Sequence, residues 1–290
     1  MEQEGLLAGS ASPRTSLLAR WSLGDWAVTA VLFVAGVWAD HAAPFHRQIV
    51  PQEHDPAISY KHTPSDHARI PTPLLFKLAF WLPLSVLVAI MLLCPAGKSF
   101  SQANRMSQLN EAALGLCSSF ASTLLVVSLI KNQVGRLRPD FLDRCKLEAG
   151  ICTGLPAVIM EGRKSFPSGH TALSFAGLGF LTLYIGARLY HVHACCGELW
   201  KLPVVLAPWF AALCVGLSRI ADYWHHWEDV LVGGLIGNLI AYIMYRQRYP
   251  LPSDDQGGLP YVLQVSTQKQ RSSPPSNVQS STLDVHEFRV

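Results

Sequence analysis

His225 and Asp229 have the residue types and spacing of a histidine nucleophile with its orienting carboxylate. Four positions apart on a helix, they share a face, so the carboxylate can accept a hydrogen bond from the imidazole. Such a bond would hold one tautomer, leave the other ring nitrogen free to attack, and stabilise the charge that forms when a phosphoryl group lands on it. A second histidine, His170, titrates in the range needed to protonate a leaving alcohol and then deprotonate a water. Taken by itself, the His225–Asp229 pair reads more readily as a structural contact at a helix start, and two histidines with an aspartate are also metal-ligand types. The surrounding charges decide among these readings.

Three cations accompany the histidines: Lys131, Arg138 and Arg219. An ammonium and two guanidinium forks suit the outer oxygens of a phosphate, and without an anion the three would repel one another. Pro139 keeps Arg138 out of the helical region, at the end of a loop. The run Pro167–His170 opens an apolar segment, where free backbone N–H groups and the positive helix end attract an anion. Gly169 lets a ligand approach the backbone there, and Ser168 is either a phosphate ligand or simply the N-cap. The same cations oppose a divalent metal, and only Asp140 and Glu228 add carboxylates nearby, so neither metal nor cofactor is expected.

Half of the 290 residues are hydrophobic and only 15% are charged, which points to lipid as the solvent. A net charge of +3 without a long basic tract makes nucleic acid a poor partner and an anionic lipid a good one. Six apolar runs approach the roughly 20 residues a membrane-crossing helix needs: Trp26–Ala39, Leu78–Cys94, Ala112–Ile130, Thr171–Gly186, Leu202–Leu217 and Val230–Tyr245. The first is the weakest, because Asp25 and Asp40 bracket it. These runs lack polar stripes at helical period, and Gly233, Gly234 and Gly237 suit close packing in lipid. The expected fold is an all-α integral membrane bundle of six helices. Alternating crossings then put the end of the third helix, the start of the fourth, the end of the fifth and the start of the sixth on one face, and with them every residue named above.

The expected organisation is an N-terminal segment (1–21), a six-helix membrane domain (22–250) and a disordered tail (251–290) rich in Ser, Gln and Pro, the two ends being cytoplasmic and the domain a phosphatase if the family resemblance given next holds. The first 25 residues lack the pattern of a cleaved signal peptide. Asp40–Pro73 and Lys131–Ser168 are too polar for lipid.

Lys131 with Arg138–Pro139, then Pro167–His170, then Ser218–Arg219 followed by His225 and Asp229, together resemble the three-part signature of the type-2 phosphatidic acid phosphatase superfamily, which includes vanadium haloperoxidases and bacterial acid phosphatases. The wider stretches Gly135–Phe141, Glu161–His170 and Asp222–Asp229 resemble its eukaryotic lipid phosphate phosphatases, and the similarity runs from about residue 22 to residue 250. The resemblance implies a haloperoxidase-like catalytic bundle, metal-independent dephosphorylation of phosphatidate, lysophosphatidate or diacylglycerol pyrophosphate, and a site on the lumenal or outer face. It also implies that Lys131, Arg138, Ser168, Gly169 and Arg219 hold phosphate, that His170 is the acid, His225 the nucleophile and Asp229 its orienter.

The counts of Lys and Arg on the two faces do not decide orientation. If the site faces an oxidising compartment, Cys145 and Cys152 are placed to form a disulfide, while Cys195 and Cys196 become palmitoylation candidates on the opposite face. Trp224 and Trp227 are expected at headgroup level. A phosphotransferase would use the same histidine chemistry, and a transporter or scaffold would use the same cationic cup without needing the nucleophile. Endoplasmic reticulum, another endomembrane and plasma membrane are all compatible with the sequence, as is a homo-oligomer.

Overall fold

The computed structural model describes residues 13–48, 55–93, 102–148, 150–192, 198–254 and 257–264. In chain order the helices are α1 (Pro13–His41), α2 (Thr72–Phe76), α3 (Leu82–Leu93), α4 (Gln102–Val134), α5 (Phe141–Cys145), α6 (Pro156–Gly162), α7 (Gly169–Val192), α8 (Lys201–Ala221) and α9 (Trp227–Arg246). A short 3-10 turn forms at Pro56–Ile58, and a π-helical turn, Lys77–Trp81, joins α2 to α3. Strands β1 (Leu147–Glu148) and β2 (Ile151–Cys152) make a small antiparallel hairpin.

Among the described residues, six segments are long and apolar enough to cross a membrane: Ser22–His41, Thr72–Leu93, Arg105–Val134, Gly169–Leu189, Lys201–Ala221 and Trp227–Arg246. The bundle is the expected six-helix one, with two differences in detail. The second crossing begins at Thr72, because α2, the π turn and α3 run on as one rod, and α4 extends well beyond the uncharged stretch at both ends.

In lipid the backbone satisfies itself within each helix, so packing decides the arrangement. α7 is the central column, with 67% of its most apolar window buried against α4, α8, α9 and the π turn. α1 is peripheral, with 17% of its window buried, and leans on α4. Close approach of α9 to α7 requires glycine: a Cβ on Gly233 would meet the Ser168 carbonyl oxygen at 2.6 Å. Backbone contact there holds the starts of α7 and α9 together, which is where His170 and Asp229 sit.

At the end away from these helix starts, Phe180, Tyr184, Tyr245 and Tyr249 form an aromatic core. Arg188 donates to Gln108 Oε1 at 2.7 Å, and Arg248 pairs with Glu111 at 2.6 Å and Asp25 at 2.9 Å. The segment after α9, assigned to a disordered tail, begins in an ordered manner: Tyr261 N–H donates to the Arg248 carbonyl at 3.0 Å and Leu263 is buried. Residues 265–290, and with them most of that tail, lie outside the described residues, as do Cys195 and Cys196.

Candidate active site

The ends of α1, α4 and α8 and the starts of α2, α7 and α9 meet on one face of the bundle, and a cavity of about 350 Å³ opens among them. Lys131, Arg138, Gly169, His170 and His225 line it, so five of the eight sequence-derived site residues share one space. Its membrane-side wall is apolar, with Leu75, Phe76, Leu124, Val127 and Leu173. Ser168, Arg219 and Asp229 are buried just behind that lining.

Lys131 projects from the last turn of α4 toward the start of α7, where a Cβ on Gly169 would lie 3.2 Å from its Nζ. The bare Gly169 Cα thus leaves room for an ammonium as well as for a ligand. Ser168 is the N-cap of α7: its Oγ accepts from Thr171 Oγ1 at 2.9 Å and lies 3.4 Å from Thr171 N. Its own hydroxyl proton remains free to donate. Its N–H donates to the Asp229 carbonyl at 2.9 Å, a backbone tie between the two helix starts.

The cations are not the unpaired trio expected. Arg138, 1% exposed, donates from Nε to the Glu161 carbonyl at 2.9 Å and from Nη1 to the Trp224 carbonyl at 3.2 Å, and its Nη2 meets the Glu161 carboxylate. Arg219 Nη2 pairs with Asp222 at 3.0 Å. Two of the three guanidinium and ammonium groups therefore carry an internal carboxylate, because a buried charge without a partner is costly. Burial alone would raise the Glu161 carboxyl, but Arg138, Lys131, Arg144 and Lys164 outweigh it and hold the group below its ordinary range.

His225 precedes α9 instead of riding on it, since His226 is the N-cap. The shared helical face expected for His225 and Asp229 is therefore replaced by a looser approach, His225 Nδ1 lying 3.7 Å from Asp229 Oδ2, beyond hydrogen-bond reach. The carboxylate is occupied elsewhere. Asp229 Oδ1 accepts from Arg136 Nη1 at 2.8 Å, while Oδ2 accepts from Ser165 Oγ at 2.6 Å and from the His226 N–H at 3.0 Å. Burial first, then the neighbouring Arg138, pull the His225 imidazole down to about 4, against the pull of Asp229. The ring is neutral at physiological pH, and its Nδ1, on the Asp229 side, is buried without a hydrogen-bond partner. His170 Nε2 is likewise buried without a hydrogen-bond partner.

Several members of the site lacked a sequence signal. Arg136, Ser165 and Glu161 flank the recognised motifs, but nothing in their spacing announces a contact with Asp229 or Arg138. Trp224 is 9% exposed, its ring packed between Arg138 at 4.7 Å and Arg144 at 4.8 Å, so it belongs to the wall of the site. Trp227 is exposed, as an interfacial residue would be. His62 and Thr63, ahead of α2, reach this face: Trp224 Nε1 donates to the Thr63 carbonyl at 2.9 Å, and His62 Nδ1 donates to Asp140 at 2.7 Å. Cys145 and Cys152 are joined by a disulfide across the hairpin, on the same face as the cavity.

The three-motif constellation has relatives. Residues 112–252 match the family model described as PAP2 superfamily. Lipid phosphate phosphatase 2 of Arabidopsis thaliana is 37% identical over 84% of this chain and 83% of its own length. The probable diacylglycerol pyrophosphate phosphatase 1 of Schizosaccharomyces pombe is 37% identical over 76% of this chain and 78% of its own. Diacylglycerol pyrophosphate phosphatase 1 of Saccharomyces cerevisiae is 31% identical over 82% of each. No solved structure matches the chain. Six apolar helices, the cation-lined cavity and these relatives agree: the chain belongs to the PAP2 superfamily, among its eukaryotic lipid phosphate phosphatases, and is a multi-pass membrane phosphatase.

Proposed function

We propose that the protein dephosphorylates lipid phosphates, whether monoesters such as phosphatidate and lysophosphatidate or the terminal anhydride of diacylglycerol pyrophosphate, through a phosphohistidine formed on His225. The observation that carries the reading is a neutral, buried His225 facing a cavity that also holds His170, Lys131 and Arg138. Lys131 and Arg138 grip the phosphoryl oxygens, helped by the backbone N–H groups at the start of α7; Ser168 and Arg219 support them from behind. The Nε2 lone pair attacks phosphorus, the phosphorus–oxygen bond to the lipid breaks, and His170 gives its proton to the leaving oxygen. Water then attacks phosphorus as His170 takes one of its protons, and the phosphorus–nitrogen bond breaks, releasing inorganic phosphate and restoring His225. Asp229 stabilises the charge on His225, approaching closer once the ring becomes cationic. The cations supply the electrostatic stabilisation that a metal would otherwise provide, so no metal is required.

The apolar wall below the cations suits a lipid whose headgroup sits at the membrane surface and whose chains stay in the bilayer. The Cys145–Cys152 disulfide supports a site on the lumenal or extracellular face, since such bonds persist in oxidising compartments. The test is phosphate release from phosphatidate by the purified protein in EDTA. Wild type is expected to turn over, His225→Ala to lose on the order of a thousandfold or more, and His170→Ala to lose turnover strongly as well, since both steps move a proton through it. Undiminished release by His225→Ala would overturn the mechanism.

A further inference from the structure

Below the cavity lies a second space, of about 400 Å³, walled by Trp26 and Phe33 of α1, by Phe76, Phe80 and Trp81 around the π turn, and by Phe120 of α4. We infer that this aromatic cleft is an acyl-chain site, taking one fatty chain of the lipid whose phosphate occupies the cavity above; the inference rests on the phosphatase reading of that cavity.

The two spaces are neighbours. Phe76 lines both. On α4 a single stripe at helical spacing runs from one to the other: Cys117, Phe120 and Ala121 border the cleft, while Leu124, Val127, Ser128 and Lys131 border the cavity. At a rise of 1.5 Å per residue the fourteen positions from Lys131 to Cys117 span about 21 Å, close to the roughly 20–22 Å between the headgroup surface and the bilayer midplane. A chain hanging from a headgroup at Lys131 therefore meets the floor of the cleft at the depth where a leaflet ends.

The walls are built to exclude polar contact. Thr29 lines the cleft, but its hydroxyl is held by the Asp25 carbonyl and Ser118 Oγ, each at 2.8 Å. Trp26 turns its Nε1 to Asn110 Oδ1 at 3.0 Å. The cleft exists because α1 leans on α4 while the second crossing packs on α4 and α7, leaving a wedge between them with α4 as its floor. The π turn shapes the far wall. It sets Phe80 edge-on to Phe120 at 5.4 Å and brings Phe76 within 5.6 Å of the same ring, a rigid aromatic surface rather than mobile aliphatic side chains.

The site predicts chain-length selectivity that a single bulky residue at its floor would shorten. Purified full-length protein in mixed micelles is assayed with dipalmitoyl- and dioctanoyl-phosphatidate. Cys117→Phe is expected to lower kcat/KM for the dipalmitoyl lipid about tenfold, the equivalent of expelling two or so methylenes, while dioctanoyl turnover persists. Phe33→Ala, on a wall facing lipid where truncation leaves no internal void, is expected to lower the same ratio severalfold by raising KM. It decides the matter should Cys117→Phe lose activity on both lipids. Dipalmitoyl-to-dioctanoyl ratios equal to wild type in Phe33→Ala and in any active Cys117→Phe would overturn the acyl-chain site and leave the cleft to bulk lipid. Wild type inactive on both lipids would instead sink the phosphatase reading.

Discussion

Arg138 is bound twice by one residue: its Nε donates to the Glu161 backbone carbonyl at 2.9 Å, and its Nη2 meets the Glu161 carboxylate. The carbonyl contact anchors the guanidinium whatever occupies the cavity, whereas the carboxylate contact is one that an incoming phosphate would contest.

Glu161→Gln removes the competing charge and keeps the carbonyl anchor. Inorganic phosphate should then inhibit about tenfold more tightly, the size of a screened repulsion between a carboxylate and a phosphate at the cavity wall. Inhibition constants for phosphate in the two proteins check this, and an unchanged constant would remove Glu161 from the site's electrostatics.

Asp229 joins α9 to its surroundings through Arg136, Ser165 and the His226 N–H. Asp229→Asn should therefore lower kcat at least about a hundredfold, through lost stabilisation of charged His225, and also lower the melting temperature, through a weakened helix start. Arg136→Gln should reduce kcat with little change in KM, because Arg136 touches the carboxylate and does not line the cavity. A full kinetic and thermal comparison separates the two roles.

The low value at His225 makes stability depend on pH. A folded-state value of about 4 lies below the ordinary histidine value, so in the window between the two the unfolded chain binds a proton that the folded chain does not. Stability should thus fall as pH drops from about 6.5 towards about 4, by on the order of 3 kcal/mol across the window. Melting curves in detergent at several pH values, wild type against His225→Asn, measure it, and the variant should show the shallower acid dependence.

The Cys145–Cys152 link closes a short loop beside Arg144 and Trp224. Replacing both cysteines with serine should cost about 2 kcal/mol of stability on chain-entropy grounds. In the native, unreduced protein neither thiol should take up an alkylating reagent, and labelling of both would argue for a site facing the cytoplasm.

The sequence by itself determined the class of molecule and its chemistry. Six uncharged runs can only be helices in lipid, because hydrocarbon offers backbone groups no other partner, and alternating crossings put Lys131, His170, Arg219 and His225 on one face without any knowledge of packing. Covalent spacing also carried the motifs, since residues a few positions apart cannot stray far from one another. What only the tertiary structure decided are the contacts between segments distant in the chain. Glu161 and Asp222 neutralise guanidinium groups that the sequence left bare, and Asp229 serves Arg136 and Ser165 more closely than it serves His225. The aromatic cleft beneath the site likewise depends on how α1, α4 and the π turn lean together. Burial is the reason: a charge or an aromatic ring takes whatever partner the packed interior presents, and sequence spacing alone does not specify that partner.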